Sequence, residues 1–312
     1  KAGGGQGRIV AVVGEAGIGK SRLTHHFAEA LPHAGWMVLL ADSAPHETGA
    51  FLPIRRLLRG WLGSPEADKA GGMAHRLRAM VEALDPGLMT VISALSWLLD
   101  LPVDDPDWMR LGASQRQRSI IGGVLALLTA QARCGPVVIV ADDLHWADDE
   151  SIAVIDGLVR ILPSAAILLL ATYRPGFRDA WTGHSSYTLC RLDPLTDEHA
   201  DVLLGRLLGA GEDLEPVKRG LIRRAEGNPL FLEEMARALV ETGRLEGRPG
   251  AYRVVGEAGV LDLPATVQDV IAARIGLLGA VEKQVLQTAA VLGRTVPVDL
   301  LLAVCPMEGE LV

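Results

Sequence analysis

Eight consecutive residues, Gly14-Glu15-Ala16-Gly17-Ile18-Gly19-Lys20-Ser21, satisfy the pattern G-x-x-x-x-G-K-[ST] in full. Each position has a mechanical task. The glycines let the backbone curl so that successive N–H groups turn toward phosphate oxygens. Lys20 brings a point charge for β- and γ-phosphates, and the Ser21 hydroxyl is placed to ligate Mg²⁺. An apolar β-branched run, Arg8 to Val13 (RIVAVV), precedes the loop, and a helical stretch from Lys20 to Leu31 follows it. The positive end of that helix falls on the same spot. This strand–turn–helix setting separates the segment from a glycine-rich helix start that binds nothing. The expected ligand is a nucleoside triphosphate, ATP or its product ADP, with Mg²⁺, held by Gly14 to Ser21 and Arg22.

A second acidic signal lies far along the chain, where Val137 to Ala141 (VVIVA) runs into Asp142-Asp143. In an open parallel sheet, ligands gather outside the carboxyl ends of the strands. Asp142 is expected to hold Mg²⁺ opposite Ser21, and Asp143 to orient the water that attacks the γ-phosphate. The alternative is that one or both only cap the turn into the next helix. For His145, packing or a hydrogen bond to the loop is expected ahead of catalysis. Asp148-Asp149-Glu150 suit the first turn of a helix. A further strand ends in Thr172-Tyr173-Arg174-Pro175. If it lies beside the strand before the loop, Arg174 can reach the γ-phosphate and report its presence. Gly227-Asn228-Pro229 reads on its own as a turn into a helix, with Pro229 in the first helical turn.

The elements that must position these residues follow from periodicity. Strands are expected over Arg8–Val13, Trp36–Ala41, Val137–Ala141, Ile167–Tyr173 and Ser186–Leu192, with helices between them over 51–63, 73–99, 114–132 and 150–162. The 73–99 stretch breaks near Asp85-Pro86-Gly87. Strands alternating with helices give a parallel α/β sheet covered on both faces. Past Pro194 only helices are expected, over 196–208, 215–225, 230–242, 264–278, 281–292 and 298–304, with a short hairpin around Tyr252–Val255.

Bulk properties fit this reading. At 312 residues the chain has room for two or three domains. Apolar residues at 49% and charged residues at 22% describe an ordered protein. The net charge of −8 opposes a nucleic-acid surface on this stretch. Cys134, Cys190 and Cys305 have no ligand spacing and are expected as buried reduced thiols of a cytoplasmic protein. Residues 1–7 hold no apolar signal segment, and the run Ala165–Ala171 falls far short of the ~20 residues that span a bilayer. The sequence starts without Met and is expected to be a piece of a longer protein.

Together, GEAGIGKS, VVIVADDLHWAD, LLLATYRP, LDPLT and EGNPLFLEE resemble the STAND class of P-loop NTPases. The flavour is similar to the AAA-type ATPase module of large bacterial regulators, fused to a class III cyclase domain or a LuxR-type helix-turn-helix. The resemblance implies strand order 5-1-4-3-2, with a strand between the loop strand and the acidic strand. It implies that Arg174 is a sensor arginine and that Pro229, in the GxP motif, packs on adenine. It further implies a P-loop domain over 1–195, a helical domain over 196–259 and a partial winged-helix domain over 260–312, entered at Leu263-Pro264. Such modules act as switches, closed with ADP and assembling with ATP, and their effector domain would lie outside this chain. The FVGRE-like segment found ahead of the first strand in relatives is absent here, so an incomplete adenine pocket is expected. A nucleotide-binding interaction scaffold with negligible turnover uses the same residues and is the competing reading. A P-loop kinase or a ring-forming motor ranks third, for want of lid arginines or an arginine finger.

Overall fold

The computed structural model of the chain describes residues 5–45, 49–63, 72–255, 272, 275–276, 278–293 and 296–305. These fall into two compact units, Lys1–Glu15 with Lys20–Leu192, and Ala16–Gly19 with Asp193–Val312.

The first unit is a doubly covered parallel sheet. Its strands are β1 (Arg8–Val13), β2 (Met37–Asp42), β3 (Val137–Asp142), β4 (Ile167–Tyr173) and β5 (Tyr187–Arg191). They lie in the order β2-β3-β4-β1-β5, and every neighbouring pair is parallel. This is the order 5-1-4-3-2 that the motifs implied, with β4 inserted between the loop strand and the acidic strand. Side chains alternate along each strand, so the sheet feeds two cores. Ile9, Ala11, Val137, Ile139, Leu169 and Ala171 face one cluster; Val138, Val140 and Leu170 pack with Ala28 in another. All six residues of β3 are buried, as a central parallel strand with helices on both faces requires.

The helices of this unit are α1 (Lys20–Ala30), α2 (Leu52–Leu62), α3 (Gly72–Leu84), α4 (Ile92–Leu98), α5 (Pro106–Arg110), α6 (Ala113–Cys134) and α7 (Asp149–Ile161). The expected break after α3 is present: Asp85 caps the 3₁₀ turn Pro86–Val91 by accepting from Gly87 N at 2.8 Å. The short helix α5 is not among the elements expected from periodicity; it begins where the Pro/Asp-rich connection expected over Leu101–Pro106 ends. Asp105 creates it by accepting from the backbone of Asp107 and Trp108, with Pro106 in the first turn.

The second unit is helical, with α8 (Asp197–Leu208), α9 (Glu215–Ala225) and α10 (Pro229–Glu241) around Leu204, Leu221, Phe231, Leu232 and Met235. Thr196 caps α8 and Asn228 caps α10. The expected hairpin is formed by β6 (Leu245–Arg248) and β7 (Ala251–Val254), which pair antiparallel. Helices α11 (Ala280–Leu292) and α12 (Val298–Val304) follow. The helix expected over 264–278, and the entry at Leu263-Pro264, fall almost wholly outside the described residues.

Two of the three cysteines depart from the expected burial. Cys305 is buried, but Cys190 is half-buried and Cys134 exposed; all three are free thiols. Cys134 closes the last turn of α6, whose buried stripe ends at Ala132, and so it lies past the packed face.

Candidate functional site

Because every strand of the first unit runs the same way, the chemistry-bearing residues gather at one edge of the sheet. Val13 ends β1 level with Tyr173 of β4, and Asp42 ends β2 level with Asp142 of β3. The phosphate loop leaves β1 at this edge, with Gly14 N donating to Tyr173 O at 3.4 Å.

Lys20, the first residue of α1, is 6% exposed. Its ammonium donates to Gly14 O and Glu15 O, each at 3.0 Å. Burial pulls the Lys20 pKa below its usual value; Asp143, Asp142 and Glu15 oppose that pull, and Arg174 adds to it. A buried cation is thus held by two carbonyls with two carboxylates in electrostatic range. At the tip of the loop, Gly17 and Gly19 have φ of 77° and 98°, a region that side chains with a Cβ disfavour. A Cβ on Gly17 would also meet Asn228 Oδ1 and Leu230 Cβ, both at 2.9 Å. In that same unit the Asn228 amide donates to Ala16 O at 3.0 Å, one residue before Pro229 opens α10. Ile18 is buried.

Asp142 is 3% exposed. Thr172, fully buried on β4, accepts from Asp143 N at 2.9 Å and donates its hydroxyl proton to Asp142 Oδ1. Accepting from Asp143 N and giving its one proton to Asp142, the hydroxyl has a defined direction, and it orients Asp142 as an outer-shell partner orients a metal ligand. Asp143 follows with φ 54°, a conformation that Asp tolerates better than most residues. It stands where a cap of the short turn Leu144–Trp146 would stand, yet its side chain makes no capping bond. The residue that caps is Asp148, which accepts from Ser151 N and Oγ, and also from Phe51 N and Leu52 N at the start of α2. That answers the alternative raised by the sequence: neither Asp142 nor Asp143 is occupied in capping.

Of the two alternatives expected for His145, the structure shows packing and not a hydrogen bond to the loop. Its Nδ1 is 3.9 Å from Asp143 Oδ1, and neither ring nitrogen, both buried, has a hydrogen-bond partner. Burial pulls its pKa down, with Asp143 opposing and Arg174 and Lys20 reinforcing. The ring rests 5.1 Å from that of Trp146. Arg174, just past β4 and beside the loop strand, lays its guanidinium 5.6 Å over the Trp146 ring, and its buried Nε also has no hydrogen-bond partner. Opposite Asp142, His25 of α1 and Asp42 of β2 complete the edge; neither was singled out from the sequence. The signal that could have found Asp42 is its place at the carboxyl end of a strand adjacent to the acidic one.

These features suit a phosphate-bearing ligand and a divalent cation. A buried ammonium, an oriented carboxylate and several buried polar atoms without partners face one edge, and such atoms are costly unless a ligand engages them. A family profile described as "AAA ATPase domain" matches residues 1–170. The chain belongs to that family. As an AAA ATPase domain it is a nucleotide-binding ATPase module. A curated relative, an uncharacterized protein of Rhizobium meliloti (strain 1021), is 27% identical over 98% of this AAA ATPase chain. The chain spans only 29% of that relative's length. Among solved structures, a signal transduction ATPase with numerous domains (STAND) from Pyrococcus horikoshii, with a tetratricopeptide repeat sensor, aligns with TM-score 0.43 and 15% identity. That alignment covers 91% of this chain and 32% of that one. A chain of Drosophila ORC bound to DNA aligns with TM-score 0.35 and 13% identity, covering 74% and 50% respectively. None of the helices among the described residues of the AAA ATPase chain is long and apolar enough to cross a membrane.

Proposed function

We propose that this ATPase module is an ATP- and Mg²⁺-dependent switch of the STAND class, hydrolysing slowly within a larger signalling or transcriptional regulator. The observation that carries the reading is the arrangement at the sheet edge. Arg174 leaves the strand beside β1, close enough to Lys20 to act on its charge, with Asp142 and Asp143 in the same field.

In this reading Gly14 to Ser21 and Arg22 hold the polyphosphate, and Lys20 exchanges its two carbonyl partners for β- and γ-phosphate oxygens. Ser21 and Asp142 hold the cation, which when bound neutralises charge on the phosphates. Asp143, free of any capping bond, accepts a proton from and orients the attacking water. Arg174 leaves the Trp146 face to meet the γ-phosphate, so its position reports triphosphate against diphosphate. Pro229 packs on adenine, with support from Asn228, which ties the start of α10 to Ala16. The domain plan follows the motifs: a P-loop domain over 1–195, a helical domain over 196–259 and a partial winged-helix domain over 260–312. The module works in the cytoplasm, self-assembles when ATP-bound, and passes its state to an effector domain outside this chain, such as a cyclase or a LuxR-type domain. It touches neither membrane nor nucleic acid through this region.

The test is to denature the purified chain and identify the released nucleotide by chromatography, with Lys20→Ala as control. ADP near one per chain, absent from the control, is the expected result. A wild-type chain that carries none, and does not bind added ADP, would sink the closed-switch reading. Phosphate release over several turnovers then separates a slow ATPase from a scaffold that does not hydrolyse.

A further inference from the structure

At the far side of Asp142 from Thr172, three side chains from three elements meet. His25 projects from α1, Asp42 ends β2, and Asp142 ends β3. One ligand atom from each lies within 4.8 Å of the other two. His25 Nε2 is 4.0 Å from Asp142 Oδ2. That gap is too long for a hydrogen bond. His25 Nε2 and Asp42 Oδ1 are both buried, and neither has a hydrogen-bond partner. Buried polar atoms in native proteins are almost always paired, so two of them on side chains that cluster with one buried carboxylate call for a common partner.

The geometry points to a divalent transition-metal site formed by His25 Nε2, Asp42 Oδ1 and Asp142 Oδ2. Three features carry it. Ligand atoms of one such ion sit about 2.0–2.2 Å from it, hence roughly 3–4 Å from one another, and the observed spacing closes to that by small side-chain movements. Two carboxylates and a neutral imidazole complement a dication. One imidazole with two carboxylates suits Zn²⁺, Co²⁺ or Mn²⁺ better than Mg²⁺, which takes oxygen ligands. Thr172 fixes the third ligand, because its bond to Oδ1 leaves Oδ2 turned to His25. The register of β2 on β3, which sets Asp42 level with Asp142, fixes the second. The site shares Asp142 with the magnesium position proposed above, but its ligation needs neither nucleotide nor Ser21.

The experiment uses the full chain, freed of nucleotide and stripped with chelator, titrated with Co²⁺ by visible absorption and with Zn²⁺ by calorimetry. One equivalent is expected to bind, with the ligand-field bands of a low-coordinate Co²⁺ centre. His25→Asn and Asp42→Asn are each expected to weaken binding by at least the ten- to hundredfold that loss of even an outer-shell partner costs. His25→Asp, an all-oxygen set, is expected to shift preference from Zn²⁺ toward Mn²⁺ and Mg²⁺. The His25 side chain is 41% exposed, so its variants should fold, and a thermal melt checks this. Absence of Co²⁺ bands, or Zn²⁺ binding that survives both Asn variants, would overturn the site. ATP affinity measured with Mg²⁺ is expected to hold in His25→Asn. Joint loss of ATP and Zn²⁺ binding in a folded variant would place His25 in the nucleotide site and overturn the proposal. A wild-type chain that binds Zn²⁺ through His25 but not ATP would leave this site standing while the switch reading fails.

Discussion

Two polar clusters lie near the carboxyl ends of the strands in the first unit, and they are built on opposite terms. Behind the end of β4, Asp179 accepts from Tyr173 Oη, Trp181 N, Thr182 N, Thr182 Oγ1 and Tyr187 Oη, while Trp181 Nε1 donates to Asp156 at 2.7 Å. The rings of Tyr173, Phe177 and Trp181 pack around it. Burial pushes the Asp179 pKa up, but the Tyr173 and Thr182 hydroxyls and the Trp181 and Thr182 N–H groups outweigh it, and the carboxyl is held below its usual range. Tyr173, buried against that carboxylate, is pushed far above its usual value. At the other cluster, His25, Asp42, Ser43, His145 and Arg174 keep buried polar atoms with no hydrogen-bond partner. A satisfied network holds a fold together; an unsatisfied one lowers stability unless something outside the chain completes it. The contrast separates a satisfied carboxylate from an unsatisfied edge without reference to any motif.

Four variants break or sharpen this contrast. The largest effect is expected on turnover. Asp143→Asn keeps the size of the side chain but cannot take the proton of an attacking water, so hydrolysis should fall by about 10²-fold or more while ATP affinity holds. Equal phosphate release by variant and wild type would remove Asp143 from the chemistry. Lys20→Ala deletes a charge-assisted phosphate contact of about 1.5–3 kcal/mol, so ATP should bind about ten- to hundredfold more weakly by titration. Unchanged affinity would sink the site assignment.

On the satisfied side, Asp179→Ala leaves the Tyr173 hydroxyl and two N–H groups without their acceptor. A loss of about 1–3 kcal/mol of stability is expected, at unaltered ATP affinity. A denaturant midpoint equal to wild type would show that the network is not structural. The smallest effect is in pH. The folded-state pKa of His145 lies below its unfolded value. The unfolded chain therefore takes up this proton first as pH falls, and stability drops between the unfolded and folded values by at most about 1.4 kcal/mol per pH unit. His145→Phe should flatten that part of the stability–pH curve; the same slope in both proteins would show that His145 ionises freely in the fold.

Much of this was legible in the chain because it is local. The loop Gly14–Ser21, the strand end at Asp142-Asp143 and the turn Gly227-Asn228-Pro229 into a helix are each encoded within about ten residues. Short continuous apolar runs then gave the five strands to within a residue or two, as strands buried on both faces of a parallel sheet require. The α5 helix was missed because five residues are too short to show a helical period, and it is the Asp105 cap with Pro106 in the first turn that starts it. Cys134 was misjudged because burial depends on which face of a helix meets a neighbour, and it lies past the packed stripe of α6.

The sequence by itself determined that a phosphate loop and an acidic strand end exist, and that both belong to a parallel sheet. Only the tertiary structure decided what meets there. Strand order pairs segments that lie from 30 to 178 residues apart, and here it places Thr172 against Asp142 and Arg174 beside the loop strand. Register then sets Asp42 level with Asp142, and the packing of α1 on the sheet brings in His25. No local pattern marks His25, and Asp42 is marked only by its place at the carboxyl end of a strand. They acquire meaning only from the long-range contacts that bury their polar atoms and leave them without a partner.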